Sequence, residues 1–336
     1  MLAQAGVSVI DQLVNNVWFA IAIKTLLVMG FFLTAPMVVG YTEHKVLAHM
    51  QHRLGPMEAG RFHGWAQLIA DGVKFIQKED VIPRAADRWI FTLAPAVFLV
   101  PGVMTLLVVP LGDTWFAENL DVGLFFIMAI SAVPVIGVLM AGWASANKFS
   151  LIGALRGAAQ LIAYELPLIL AAVAVAMLAG TLSLVGIVES QQAFWFVLFQ
   201  PLGFFIFMTA SLAELVRTPF DMPIADSEII FGAYTEYTGM KFAFFLLAEY
   251  AGIVILSAVA AVLFLGGYLA PPGLEFIPGP IWMAAKIGAL SFLIIWLRAT
   301  YPRLREDQLQ RFSWIVLIPL SLANILVTAV VKVWIG

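Results

Sequence analysis

The sequence contains no cysteine. That absence excludes disulfides, thiolate nucleophiles and cysteine-ligated iron–sulfur clusters. Charge is scarce as well: Asp, Glu, Lys and Arg make up 12% of 336 residues, against about 25% in soluble chains. No glycine-rich dinucleotide fingerprint and no P-loop occurs, so the chain by itself is expected to bind neither NADH nor ATP. No cleavable signal peptide is expected either, because the first basic residue, Lys24, already lies inside a long apolar run. The four histidines, His44, His49, His52 and His63, share one short stretch. Their spacings, without thiols and with few nearby acids, fit no zinc pattern, so no metal is expected.

What is present is apolar. Hydrophobic residues make up 62% of the chain and the mean hydropathy is +0.97. No soluble fold of this length hides so much apolar surface. The apolar runs lie near 16–40, 89–111, 121–144, 157–180, 194–214, 242–267, 281–300 and 312–334. Each has about the 20 residues that a helix needs to cross a bilayer. The expected fold is therefore an all-α integral membrane protein of about eight transmembrane helices, forming a single membrane domain over 1–336. Pro95, Pro101, Pro134, Pro167 and Pro201 fall inside these runs, which a membrane bundle tolerates because neighbouring helices repair the lost bond. Trp18, Trp89, Trp115, Trp195, Trp282 and Trp334 sit near run ends, as interfacial belts require.

The loops near 112–120, 181–193 and 268–280 lack any lysine or arginine, while those on the other side collect 15 of the 18 basic residues. This asymmetry places the amino terminus outside. Residues 60–79 read as an amphipathic inner-surface helix, with Phe62, Trp65, Ile69, Val73 and Ile76 on one face and Gln67, Asp71, Lys74 and Lys78 on another. It serves equally well as a membrane anchor or as the wall of a pocket.

Acids inside apolar runs are costly, about 2.5–3.5 kcal/mol each on insertion scales, and so are rarely idle. Glu165 and Glu249 lie about 10–12 Å from the inner ends of their runs at 1.5 Å per residue, and Glu214 closes a third run on the same side. Three carboxyls at similar depth form a proton-carrying cluster if their helices adjoin; the alternative for Glu165 is a hydrogen bond at the backbone freed by Pro167. For Lys24 and Lys286, snorkelling to the outer surface and a functional role account equally well for the sequence. The loop 214–241, ELVRTPFDMPIADSEIIFGAYTEYTGMK, carries Glu214, Asp221, Asp226, Glu228 and Glu236 yet is half apolar. A solvated loop has no use for Phe220, Ile224, Ile229, Ile230 and Phe231, so this one reads as a cavity wall or a contact with another subunit. The loop 298–311, RATYPRLREDQLQR, mixes four arginines with Glu306 and Asp307.

From about Val39 to Asn324 these stretches resemble the NADH dehydrogenase subunit 1 family, the membrane subunits that border the quinone site of respiratory complex I. The densest matches are Glu43 to Glu79 (EHKVLAHMQHRLGP … QLIADGVKFIQKE), Arg156 to Leu168 (RGAAQLIAYELPL), Ala213 to Tyr250 (AELVRTPFDMP … YTEYTGMKFAFFLLAEY) and the arginine loop. The resemblance implies a membrane subunit of proton-pumping NADH:quinone oxidoreductase, multi-pass in the bacterial cell membrane. Such a subunit walls the quinone cavity and couples quinone reduction to proton translocation. It implies quinone as substrate, no redox cofactor in this chain, and NADH, FMN and iron–sulfur clusters in partner subunits docked on the inner face. Residues matching the family's quinone tunnel are Glu43, Arg53, Asp71, Lys74, Arg217, Phe220, Arg298, Arg303 and Asp307, with His44 beside them. Those matching its acidic path are Glu165, Glu214, Asp221, Asp226, Glu228 and Glu249. Three departures stand out: titratable His44 replaces an arginine, Ile224 replaces an acid, and Met57 replaces an asparagine. A homologous subunit of a hydrogenase-type complex is the nearest alternative; an independent secondary transporter would show inverted repeats, and no convincing correspondence joins the two halves.

Overall fold

A computed structural model describes residues 17–113, 115–224, 226–271 and 273–335. Among them every regular element is helical. Seven helical segments among the described residues are long and apolar enough to cross a membrane: 18–50, 88–106, 123–144, 148–179, 239–264, 279–300 and 306–334. In chain order the helices are α1 (Val17–Met50), α2 (Gln67–Gln77), α3 (Arg88–Leu106), α4 (Gly123–Ser131), α5 (Val133–Ala144), α6 (Lys148–Ala179) and α7 (Leu184–Glu189). They continue with α8 (Pro201–Glu214), α9 (Asp226–Ile229), α10 (Gly239–Phe264), α11 (Gly279–Thr300), α12 (Glu306–Arg311) and α13 (Ile318–Ile335).

The expected eighth span, 194–214, is α-helical only over the 14 residues of α8. Proline has no N–H to give a preceding turn, so Pro201 opens the helix instead of sitting within it. A 3₁₀ turn over Phe196–Leu198 leads into it. Pro134 acts likewise, and the 121–144 run divides at Ala132 into α4 and α5. Pro95, Pro101 and Pro167 do lie inside their helices. The surface helix is shorter than the sequence pattern suggests. Gly60, Arg61, His63 and Gly64 all have left-handed backbone, which no right-handed helix passes through, so α2 starts only at Gln67. None of its residues is buried, and Ile69, Val73 and Ile76 remain exposed.

Helices α6 and α10 form the centre and are mostly buried, while α1 lies largely exposed on the periphery. Small residues let the surrounding helices pack closely on both: Ala171, Ala172 and Ala174 on α6, and Ala258, Ala260 and Ala261 on α10, are all fully buried. Asn147 caps α6 by accepting a hydrogen bond from Phe149 N at 2.9 Å, and left-handed Gly180 ends it. Near its start, α6 also receives the acid-rich loop. A Cβ on Gly153 would stand 2.5 Å from Gly232 Cα, so glycine on both sides allows the turn at 232–234 to seat against the helix.

The three lysines that the sequence leaves outside the basic loops all serve backbone carbonyls. Lys286, 8% exposed, donates to Leu265, Gly267 and Leu269 O at 2.7 Å each, just past the end of α10. The Trp195 ring lies 4.4 Å from its Nζ. Lys332 donates to Met177 and Leu178 O at the end of α6, and Lys24 to Ala117 O. Lys332 satisfies carbonyls that the end of α6 leaves without partners, whereas Lys24 and Lys286 satisfy loop carbonyls, those of Lys286 just past α10. Lys286 is thus a buried cap, not a snorkelling side chain. Lys286→Met should orphan three carbonyls, each costing about 1–3 kcal/mol. The thermal midpoint of the detergent-solubilised protein should drop, with activity at low temperature retained; loss of activity at an unchanged midpoint would contradict the capping role.

A buried ion-pair chain and a carboxyl-lined cavity

The loops between α1 and α3, between α8 and α10, and after α11 gather at one end of the bundle. There Glu43, on α1 and 2% exposed, meets two arginines. Arg217 Nη1 donates to both of its carboxylate oxygens at 2.9 Å, and Arg298, at the end of α11, also donates to Oε1. Arg217 is itself 3% exposed. Its Nε stands 3.0 Å from Glu249 Oε1 on α10, in ion-pair contact but off-axis for a hydrogen bond. Its Cζ lies 4.7 Å from the Tyr250 ring centroid. Burial alone would lower the pKa of Arg217, but Glu249, Glu43 and Tyr250 outweigh it, so the guanidinium is held firmly charged. The result is an alternating series of charges, Arg298–Glu43–Arg217–Glu249.

Glu249 also lines a cavity of about 130 Å³, together with Glu165 and Glu214. The helices that carry these three acids do adjoin. Glu214 Oε2 is shut off from solvent and has no hydrogen-bond partner. Apart from Thr105, Ser131 and Tyr234, the rest of the wall is apolar and includes Ile224, the position where an acid is expected from resemblance. A desolvated carboxyl facing its like across a cavity is suited to taking up and releasing a proton.

The other sequence-chosen residues fall into separate groups. Arg303 pairs with Asp221 at 2.7 and 3.2 Å, and Thr218 Oγ1 also donates to Asp221. Phe220 is buried, with its ring 5.3 Å from that of Tyr164. Asp71 accepts from Gln67 at 3.0 Å and contacts Lys74 at 3.4 Å on the exposed α2. Arg53 bonds Gln51, and Asp307 pairs with the exposed Arg305, so neither takes part in the alternating series. His44 is half-buried on α1 next to Glu43. Asp226 opens α9, but its side chain lies outside the described residues. Glu228 pairs with Arg156 at 2.9 Å.

Sequence reasoning had no role for Arg156, Gln160 or Tyr250. Arg156 and Gln160 follow a legible signal, with Tyr164 the next member: a polar side chain every four residues along one face of an otherwise apolar helix. Gln160 Nε2 donates to Ala213 O and Phe220 O at 2.7 Å each, and Tyr164 OH to Leu309 O at 2.8 Å.

Fold and site together define a class: a multi-pass membrane protein in which paired charges enter the helix bundle and end at carboxyls lining a cavity. The family model described as NADH dehydrogenase matches residues 23–329. The chain belongs to the NADH dehydrogenase family. It is 48% identical over 292 residues to a protein of Geobacillus kaustophilus, covering 87% of this chain and 88% of the relative. It is 45% identical over 316 residues to one from Bacillus cytotoxicus and 46% to one from Anoxybacillus flavithermus, covering 94% of both chains in each case. All three relatives are named as the same subunit of NADH-quinone oxidoreductase.

Proposed function

We propose that this chain is a membrane subunit of proton-pumping NADH:quinone oxidoreductase, a single membrane domain that walls the quinone cavity and couples quinone reduction to proton translocation. The observation that carries this reading is the unbroken run from Arg298 through Glu43 and Arg217 to Glu249 and the carboxyl cavity. Reducing a quinone to quinol takes two electrons and two protons. The electrons come from partner subunits bearing FMN and iron–sulfur clusters; this chain supplies charge and proton management. Negative charge developing on the quinone competes with Glu43 for Arg298 and Arg217, and fixed cations in a desolvated site answer it strongly. Each pair in an alternating series is polarised by its neighbours, so loosening one end weakens the hold of Arg217 on Glu249. Glu249 is then free to exchange a proton with Glu214 and Glu165 across the cavity, which is wide enough for several waters.

On the quinone side this reading assigns Glu43, His44, Arg53, Asp71, Lys74, Arg217, Phe220, Arg298, Arg303 and Asp307. On the proton side it assigns Glu165, Glu214, Asp221, Asp226, Glu228 and Glu249. The hydrophilic partner subunits cover the loop face that carries the arginines, and small membrane subunits and lipid cover the exposed helices. Affinity purification through a tag on this chain should bring down flavin and iron–sulfur subunits together with inhibitor-sensitive NADH:quinone activity. Recovery of the chain alone, as a transporter would behave, refutes the assignment.

The orientation proposed is amino terminus outside, in the bacterial cell membrane. Reporters fused near 190 or 275 should therefore report the outer compartment, and those near 150 or 305 the inner one. A reporter at 305 found outside would reverse the whole arrangement.

A further inference from the structure

Arg156 belongs to neither set of residues above, yet it joins the two loops that supply most of them. It projects from the charged end of α6. Its Nη1 lies 2.9 Å from Glu228 Oε2, in the acid-rich loop, and its Nε lies 3.0 Å from Glu306 Oε2, in the first turn of α12. One guanidinium thereby ties residues 72 apart in sequence on one side to residues 150 apart on the other. Two further contacts hold the same loops together: the Arg303–Asp221 pair and a bond from Leu304 N to Pro219 O at 3.1 Å. One and two turns further along α6, Gln160 and Tyr164 fix the backbone of each loop in turn, through Phe220 O and Leu309 O. Helix α6 therefore acts as a ruler against which both loops are set.

We propose that Arg156 is a positioning residue for the quinone reaction, registering the loop of Arg217, Phe220 and Asp221 against the loop of Arg298 and Arg303. This rests on the functional reading above. Side-chain exposure argues for registration over stability. Arg156 is 30% exposed and its two carboxylates 41% each, and ion pairs this open add little to folding. Geometry, in contrast, is their strength. A planar guanidinium presents Nη1 and Nε along fixed directions to two acceptors at once, whereas an ammonium on a flexible stem fixes neither. The pairs also act at a distance. Arg156 touches no residue of the Arg298–Glu43–Arg217–Glu249 series, so its influence passes through the placement of the loops.

The test uses the whole complex in native membranes, with a short-chain quinone as acceptor and ferricyanide as the acceptor that bypasses the quinone site. Arg156→Gln should raise KM for the quinone about tenfold, well inside the roughly hundredfold loss that an ångström of misplacement causes. Subunit content and NADH:ferricyanide activity should stay at the wild-type level. Arg156→Lys should recover less than half of the lost kcat/KM. Glu306→Gln should reproduce part of the defect, and the double variant Arg156→Gln/Glu306→Gln should be no worse than Arg156→Gln alone, since Arg156→Gln already removes the contact that Glu306→Gln removes. Unchanged KM and kcat in an assembled Arg156→Gln complex overturn the proposal. So does failure of both single variants to assemble, which would make the contact merely structural. Failure of the functional reading looks different: the unaltered complex itself would lack NADH:quinone activity.

Discussion

Arg217→Met should abolish quinone-linked turnover and sharply lower the amount of assembled protein. Methionine keeps much of the length of arginine and removes its charge. Glu249 then loses its cation, and Glu43 keeps only Arg298. Removing one partner of a buried ion pair costs about 3–5 kcal/mol because a desolvated charge is left uncompensated. Whole-domain stabilities are only about 5–15 kcal/mol, so such a loss decides whether the loops at this end of the bundle stay in place. Arg217→Lys should fare little better, since one ammonium cannot span Glu43 at 2.9 Å and Glu249 at 3.0 Å as the guanidinium does. Adding Glu249→Gln to Arg217→Met should restore part of the assembly by removing the stranded carboxylate, without restoring turnover. Quantifying this chain in membranes beside NADH:quinone and NADH:ferricyanide rates checks each step. An Arg217→Met complex that assembles fully and keeps most of its quinone activity would show that the series of pairs is dispensable.

Glu214→Gln and Glu249→Gln should leave the protein assembled while depressing quinone reduction and proton pumping by roughly 10²–10⁴-fold, the range that a positioned proton carrier contributes. Glutamine nearly matches glutamate in shape and hydrogen bonding but does not exchange a proton. At Glu214 the contrast is clean, because Oε2 has no hydrogen-bond partner for the substitution to break. At Glu249 the variant also removes one of the two carboxylates that hold Arg217, so its assembly should be somewhat reduced. Electron transfer from NADH to ferricyanide should persist in both. Normal turnover together with normal proton yield per quinone reduced, in both variants, would remove these acids from the path. Ile224→Glu, which adds a fourth carboxyl to the same wall, should not by itself rescue either variant.

The membrane-spanning helices were legible because each apolar run must satisfy its own backbone within lipid, and a helix is the local way to do so. The costly acids at 165, 214 and 249 were legible for the same reason: an ionisable group in an apolar run stands out without any knowledge of its neighbours. Composition and motif thus determined an all-α membrane protein, its family, and the candidates for its proton path. Partnership was different. Arg217 lies three residues from Glu214 in sequence, yet it pairs with Glu43, 174 residues away, and with Glu249. Nothing in the local pattern ranks those carboxylates, because a pair forms where helix packing brings charges to within about 4 Å, and packing is a property of the whole bundle. The same holds for Lys286, whose three carbonyl partners lie beyond the end of another helix, and for Asp307, which the motif chose and the fold sends outward to Arg305. Composition and motif set which charges this membrane protein must accommodate; packing of the whole bundle selects which of them compensate one another, since burial makes that choice costly and distance makes it unique.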